Sequence, residues 1–310
     1  MLPRVTGHTY SSVAGKTDLM QGQFHTMLSD LKGEGMEKNS ADKQHLNRWL
    51  TAAVAVPVLA CIIGLGPGWL LLILVVLVTA GSMLELLRLL LPETKSWVRI
   101  TALAAGLLLP LATYWKGILG LSTATVGVIF VALTIHLLLY AKERAVLQSL
   151  GAMVFAQLYI PFLLSHVLLL FQVPSGRRWI FFLLLVIFAG DTGAYYAGHR
   201  WGRHKLWPAV SPGKTVEGAV GGLLSSLAIA LLVGKLLLSP GEFGITFFLS
   251  LAFVIALAGQ MGDLMESMLK RVTQVKDASS ILPGHGGLLD RLDSLIFAFP
   301  LTYYGVVFFT

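Results

Sequence analysis

The chain has 310 residues, of which 55% are hydrophobic and only 13% charged, with a mean hydropathy of +0.76. That composition lies outside the range of soluble domains and predicts a polytopic membrane protein. The formal charge of +7 does not point to nucleic acid, because the Lys and Arg residues are spread over short intervals between apolar runs and form no single patch.

Residues 1–43 are polar, lack a helical period and contain several Gly, Ser and Thr, so they are expected to form a disordered or loosely attached arm ahead of a membrane domain over 44–310. Met36 opens a more typical start, MEKNSADKQHLNRWL, and is the expected initiator. Cys61 is the one cysteine, which excludes an intrachain disulfide. The triplet before it resembles a lipoprotein cleavage site only faintly, and a leader of about 48 residues is too long for a signal peptide.

Nine apolar runs follow, near 49–66, 69–91, 98–115, 118–140, 147–171, 179–198, 216–238, 244–262 and 292–309. Each approaches the ~20 residues a helix needs to cross ~30 Å of hydrocarbon. None alternates as barrel strands do, and a helix satisfies its own backbone in lipid, so the expected fold is an all-α bundle of about nine transmembrane helices. With the N-terminus in the cytoplasm, 19 of the 23 Lys and Arg fall on the cytoplasmic side. The exceptions are Lys116, Arg177, Arg178 and Lys235. This asymmetry sets the expected orientation and location: the cell membrane, inner in a bacterium, with the polar stretches below facing the cytoplasm. His136 and His166, inside apolar runs, read as hydrogen-bonded interior residues.

The sixth run becomes polar at GDTGAYYAGHRWGRHK, where Gly190, Ala194, Ala197 and Gly198 have the small-residue spacing of closely packed helices. Asp191 sits among them. An acid near the centre of a membrane helix costs about 2.5 to 3.5 kcal/mol on insertion scales, so it asks for a partner or a task. Then comes SPGKTVEG, Ser211 to Gly218. Its Gly213-Lys214-Thr215 does not make a P-loop, because Pro208 stands where the first glycine belongs and no preceding strand is expected.

The stretch from Gly262 to Ser294 gathers most of the remaining charge. Asp263, Glu266, Ser267 and Lys270 recur at three- and four-residue steps and share one helical face, so Asp263 and Ser267 can reach one ion. Ser279 to Gly287 contains Pro283, three glycines and His285, a loop whose backbone can approach a ligand. Asp290 and Asp293 open the next apolar run, where a helix N-terminus favours negative charge. Carboxylates with nearby cations are the usual surroundings of Mg²⁺ and phosphate, and they favour phosphoryl or nucleotidyl transfer over simple hydrolysis.

In sequence the stretch reads Ser267-x-Leu269-Lys270-Arg271, then Lys276-Asp277, then Leu282-Pro283-x-His285-Gly286-Gly287-Leu288-x-Asp290-Arg291-Leu292-Asp293. It resembles the signature of the phosphatidate cytidylyltransferases, or CDP-diacylglycerol synthases, and the Asp191 and SPGKTVEG segments resemble further blocks of that family. The resemblance covers about 45–310. It implies a nucleotidyltransferase of phospholipid biosynthesis that joins CTP to phosphatidate within membrane lipid, giving CDP-diacylglycerol and pyrophosphate, with Mg²⁺ as cofactor, as one or two ions. A homodimer is left open. By the same resemblance Asp263 and Asp290 bind metal, with Ser267 as an additional ligand. Lys270, Arg271, Lys276, His285 and Arg291 contact phosphate, and Asp277 and Asp293 orient those cations or an outer metal shell. Asp191, Lys214 and Glu217 close the site or meet the nucleotide. Two rival readings are a cation- or proton-coupled transporter and an enzyme that uses CTP on a different lipid. The gathering of charge at one edge, with no matching pair of broken helices at the midplane, weighs against transport.

Overall fold

In the computed structural model, residues 56–92, 94–140, 146–238, 243–274 and 287–309 are described. The arm expected over 1–43 lies outside them, as do Lys276, Asp277 and His285.

Helical turns over 58–64 lead to Pro67 and to helix α1, Gly68–Leu90. Pro92 follows its C-cap Leu91, a position from which proline cannot continue a helix. Next comes α2, Ser96–Leu139, whose 44 residues are interrupted at Gly117 by non-helical backbone (φ 57°, ψ −141°). The positive φ suits glycine. The chain turns back there: a Cβ at Gly120 would collide with the Ala112 carbonyl, and Leu109 and Leu121 share one apolar cluster. An unbroken helix of this length would be about 66 Å long, twice the hydrocarbon thickness, so two legs are the form that lipid accommodates.

Helix α3, Val146–Gln172, contains a π-helical turn over Leu158–Phe162. Pro161 has no N–H to donate within this turn. Helix α4, Gly176–Trp201, then runs to an antiparallel hairpin of β1, Lys205–Trp207, and β2, Ser211–Thr215. Here the expectation of no strand before the helix is corrected. The segment is polar and needs no lipid-facing surface, so a two-stranded ribbon can satisfy its backbone where a membrane span could not. Thr215 ends β2 and N-caps α5, Val216–Leu237, accepting a hydrogen bond from Gly218 N at 3.1 Å. Helix α6, Ile245–Val272, a 3₁₀ turn at Leu289–Arg291 and helix α7, Asp293–Phe309, complete the described chain.

Among the described residues six helices are long and apolar enough to cross a membrane, and α7 is shorter and apolar. The protein is an all-α polytopic membrane bundle with one small hairpin. Its outer faces carry exposed apolar side chains such as Phe130, Leu137, Leu224 and Leu236, which suits lipid contact. His136 and His166 are buried, and each bonds a backbone carbonyl one turn back, Ala132 O and Phe162 O. Arg177 donates to the carbonyls of Ile63 and Gly64, where cationic groups suit a helix C-terminus.

Lipid tails are as apolar as leucine, so close backbone approach between small residues does much of the holding. Helices α4 and α5 show it best. A side chain at Gly193 would strike Ser225, and one at Gly221 would strike Ala197. Ser226 Oγ also donates to the Val186 carbonyl at 2.9 Å.

Candidate functional site

The C-terminal half of α6 carries its polar residues on one face, and α7 begins beside it. Glycine makes that possible: a Cβ at Gly262 would collide with the Asp293 carbonyl, and Gly259 lies against Ser294. The approach brings Asp263 and Glu266 of α6 to Asp293, with carboxylate oxygens of all three within 4.8 Å of one another. Asp293 starts its helix, and its Oδ1 accepts the Ser294 amide at 2.7 Å. Glu266 is 2% exposed, and its Oε1 has no hydrogen-bond partner among the described residues.

Two lysines flank the cluster. Lys214, near the end of β2, meets Asp263 Oδ2 at 2.6 Å, so the hairpin delivers a cation across the mouth of the acidic group. Lys270, one turn beyond Glu266, bridges Glu266 Oε2 at 2.8 Å and Asp290 Oδ1 at 3.0 Å. Asp290 also accepts the Gly287 amide at 3.0 Å. Burial opposes ionisation of Asp290, but the Glu266 carboxyl beside it, the Gly287 amide and the Lys270 ammonium outweigh burial and hold its carboxyl below the usual carboxylate range.

A cavity of about 590 Å³ opens on Asp263, between α4, α5, α6 and the hairpin. Asp191, Lys205, Lys214 and Asp263 line it, together with Tyr195 and His199, whose rings stack. Its walls are otherwise built from Gly190, Ala194, Gly198, Gly218 and similar small residues. The spacing that lets α4 and α5 approach also leaves room beside them.

The expected site residues therefore divide. Asp263, Asp191 and Lys214 meet at the cavity. Asp290 is joined to Lys270, and it is Glu266 and Asp293 that accompany Asp263. Ser267 is half-buried one turn past Asp263, and Arg291 is exposed in the 3₁₀ turn. Arg271 Nε donates to Val210 O at 3.2 Å and ties α6 to the hairpin. Glu217 is not among the cavity's lining residues; its carboxylate accepts the amides of Arg203 and His204 and contacts His204 Nδ1 at 2.6 Å, fastening the α4–β1 connection.

Two further residues were missed in the sequence. Tyr159, 3% exposed, is carried by the π-helical turn; its hydroxyl has no hydrogen-bond partner among the described residues and lies within electrostatic reach of Glu266 and Asp293. A π-turn is a frequent device for re-aiming one side chain at a site. Glu85, on α1, is 0% exposed, and its two oxygens accept the amides of Leu288 and Leu289, each at 2.9 Å. The available signal was its charge within the run 69–91.

The sequence is similar to known proteins over most of its length. Residues 46–309 match the Cytidylyltransferase family. The chain is 34% identical over 192 residues to the phosphatidate cytidylyltransferase of Bacillus subtilis (strain 168), covering 62% of this chain and 71% of that protein. It is 46% identical over 127 residues to the phosphatidate cytidylyltransferase of Staphylococcus saprophyticus, covering 41% of this chain and 48% of the relative. The Staphylococcus aureus (strain COL) protein of the same name is 45% identical over the same length.

Proposed function

The chain belongs to the cytidylyltransferase family, and from that premise we propose that it transfers the cytidylyl group of CTP to phosphatidate, releasing CDP-diacylglycerol and pyrophosphate. The observation that carries the proposal is Asp263, which lines the cavity with Lys214 and lies within one carboxylate cluster with Glu266 and Asp293.

A phosphate monoester with a second pKa near 6 is largely dianionic at neutral pH, so the lipid phosphate needs no base to become a nucleophile. An oxygen of that phosphate bonds to the α-phosphorus of CTP, and the bond from that phosphorus to the β-bridging oxygen breaks. Pyrophosphate carries away the electron pair. The barrier lies in bringing two polyanions together, and fixed cations lower it by alignment and charge neutralisation. Lys214 reaches the cavity from the hairpin, Lys205 lines it, and Lys270 stands behind the acidic cluster with Asp290 to orient it.

The acidic cluster fits Mg²⁺: three carboxylates offer hard oxygen ligands, and the buried Glu266 Oε1 has no protein partner to satisfy it among the described residues. Asp263, Glu266 and Asp293 would hold the ion, with Ser267 adjacent on the same helix face. When bound, Mg²⁺ supplies charge stabilisation to phosphate oxygens. Without it, three carboxylates at this spacing repel one another and any incoming phosphate.

The nine-span arrangement belongs to the same reading, with the N-terminus and the site in the cytoplasm of a bacterial cell and the membrane being the inner one. CTP then arrives from water while phosphatidate enters sideways with its chains in lipid. The test is purified protein with labelled CTP and a panel of lipid phosphates at varied Mg²⁺. Formation of labelled CDP-diacylglycerol from phosphatidate, absent without divalent metal, is expected. Metal-dependent transfer to another lipid alone would replace the substrate, and absence of CTP turnover would overturn the reading.

A further inference from the structure

Glu85 lies on a helix of apolar and small residues, entirely removed from solvent. A carboxylate in such a place is costly unless every lone pair in use has a donor. Among the described residues its donors are backbone amides from the far end of the chain, Leu288 N to Oε1 and Leu289 N to Oε2. Those amides open the 3₁₀ turn Leu289–Arg291, whose N-cap Leu288 makes no side-chain capping bond. Helix N-terminal amides lack partners within their own helix, and Glu85 reaches across the bundle to serve as the cap.

The surrounding surface fits that task. One turn before Glu85, a side chain at Gly81 would strike Leu288 Cδ2, so α1 is cut away where the loop lies. Leu289, 1% exposed, shares an apolar cluster with Met83, Leu86 and Leu87 of α1. Backbone and side chain of the loop are thus held by the same helix. Asp290 comes next in sequence and meets Lys270; three residues later α7 begins with Asp293.

We infer that Glu85 is a positioning residue: by gripping the backbone of Leu288 and Leu289 it presents Asp290 and Asp293 to α6 in one geometry. It is not among the residues that line the cavity. The activity arm of its test rests on the proposed cytidylyl transfer. A carboxylate is required because two N–H groups need two acceptors, and an amide of the same shape sets one donor against another.

The experiment compares wild type, Glu85→Gln and Leu288→Pro as full-length protein in lipid nanodiscs, by hydrogen–deuterium exchange and by steady-state kinetics. Leu288 has φ −67°, which proline adopts, so Leu288→Pro removes one of the two amides and leaves α1 intact. Each variant is expected to raise amide exchange over 287–292 by about 10-fold or more, the effect of unmaking one buried hydrogen bond. The kcat is expected to fall by about 10-fold or more while the KM for CTP stays within about 3-fold, because the nucleotide-facing cavity is built on other elements. Glu85→Asp, with both acceptors on a shorter arm, is expected to recover part of the kcat, and Glu85→Gln combined with Leu288→Pro to lose less than the product of the two. Folded variants with wild-type loop exchange and kcat overturn the inference. If Glu85→Gln does not fold, Leu288→Pro decides, and wild-type turnover in that protein rejects the latch. If the wild type makes no CDP-lipid, the proposed reaction fails, and loop exchange still decides the role of Glu85.

Discussion

Asp191 and Glu85 are each the sole carboxylate of a largely apolar helix, yet their neighbourhoods differ in kind. Around Asp191 stand Gly190, Ala194 and Gly198, which leave a cavity of about 590 Å³ that also admits Lys214 and Asp263. Near Glu85 the buried Met83, Leu86 and Leu87 of α1 share an apolar cluster with Leu289, and Gly81 one turn earlier makes room for Leu288. Where neighbours are small, a carboxylate can face water and ligand. At Glu85 the donors among the described residues are the Leu288 and Leu289 amides, brought into the core where Gly81 makes room. The same feature in sequence, an acid in an apolar run, thus lies at an open cavity in one place and against the backbone of a packed turn in the other.

The comparison is sharpest at the acidic cluster. Asp263→Asn keeps the shape of the side chain and removes one hard anionic ligand. Turnover is expected to fall by about 100-fold or more, or roughly 2.7 kcal/mol of transition-state stabilisation. Thermal stability should change little, because the lost contact to Lys214 is between partly exposed groups worth about 0 to 1 kcal/mol, and repulsion within the metal-free cluster is relieved. Rates of CDP-lipid formation against Mg²⁺ concentration, with thermal unfolding in parallel, provide the check. A folded Asp263→Asn protein with wild-type activity and metal dependence removes Asp263 from the metal set.

Asp191→Asn tests the open cavity alone. Facing a cavity with space for water, it is expected to fold normally and to lose about 10-fold in kcat/KM, the scale of one weakened polar contact in a site. Failure of Asp191→Asn to insert or fold, beside a well-folded Asp263→Asn, would place Asp191 with Glu85 as a holding residue and break the comparison.

Much of this arrangement was legible because charge is scarce. In a chain that is 13% charged, the gathering of Asp263, Glu266, Lys270, Asp290 and Asp293 stood out, and helical periodicity already aligned the first three. The turn at Gly117 was legible as a break between two runs, since hydrocarbon thickness limits a helix whatever its sequence. The hairpin at Lys205–Thr215 was not, because its ladder is short, contains Pro212 and lacks alternation. Nor were the roles of Glu85 and Tyr159. Their contacts reach elements far away in sequence, and local pattern cannot reveal that Leu288 will arrive beside a carboxylate on the second apolar run. The choice of Glu266 and Asp293 over Asp290 as companions of Asp263 likewise depended on Gly262 admitting the Asp293 backbone, a tertiary fact.

The smallest expected effect concerns Asp290, which the structure joins to Lys270 and the Gly287 amide although it sits in the signature. Its ionised carboxyl accepts Lys270 and the Gly287 amide, which together with the neighbouring Glu266 offset its burial and keep it below the usual carboxylate range. Because the folded value is depressed, the stabilisation is present above the unfolded aspartate pKa of about 3.9 and is lost as pH falls through the folded value. Asp290→Asn abolishes the charge but leaves an acceptor for Gly287. A hydrogen bond between charged groups contributes about 1.5 to 3 kcal/mol, and the lower end applies because Lys270 retains Glu266. Wild type should therefore be more stable than Asp290→Asn by a margin that is steady from about pH 8 to 5 and closes below about pH 4, as Asp290 itself becomes neutral. Thermal unfolding of both proteins across that range in one detergent measures it. A margin that shrinks as pH rises would mean that Asp290 is held protonated in the fold, in which case Lys270 is oriented by Glu266 alone and the loop owes its position to the Glu85 side.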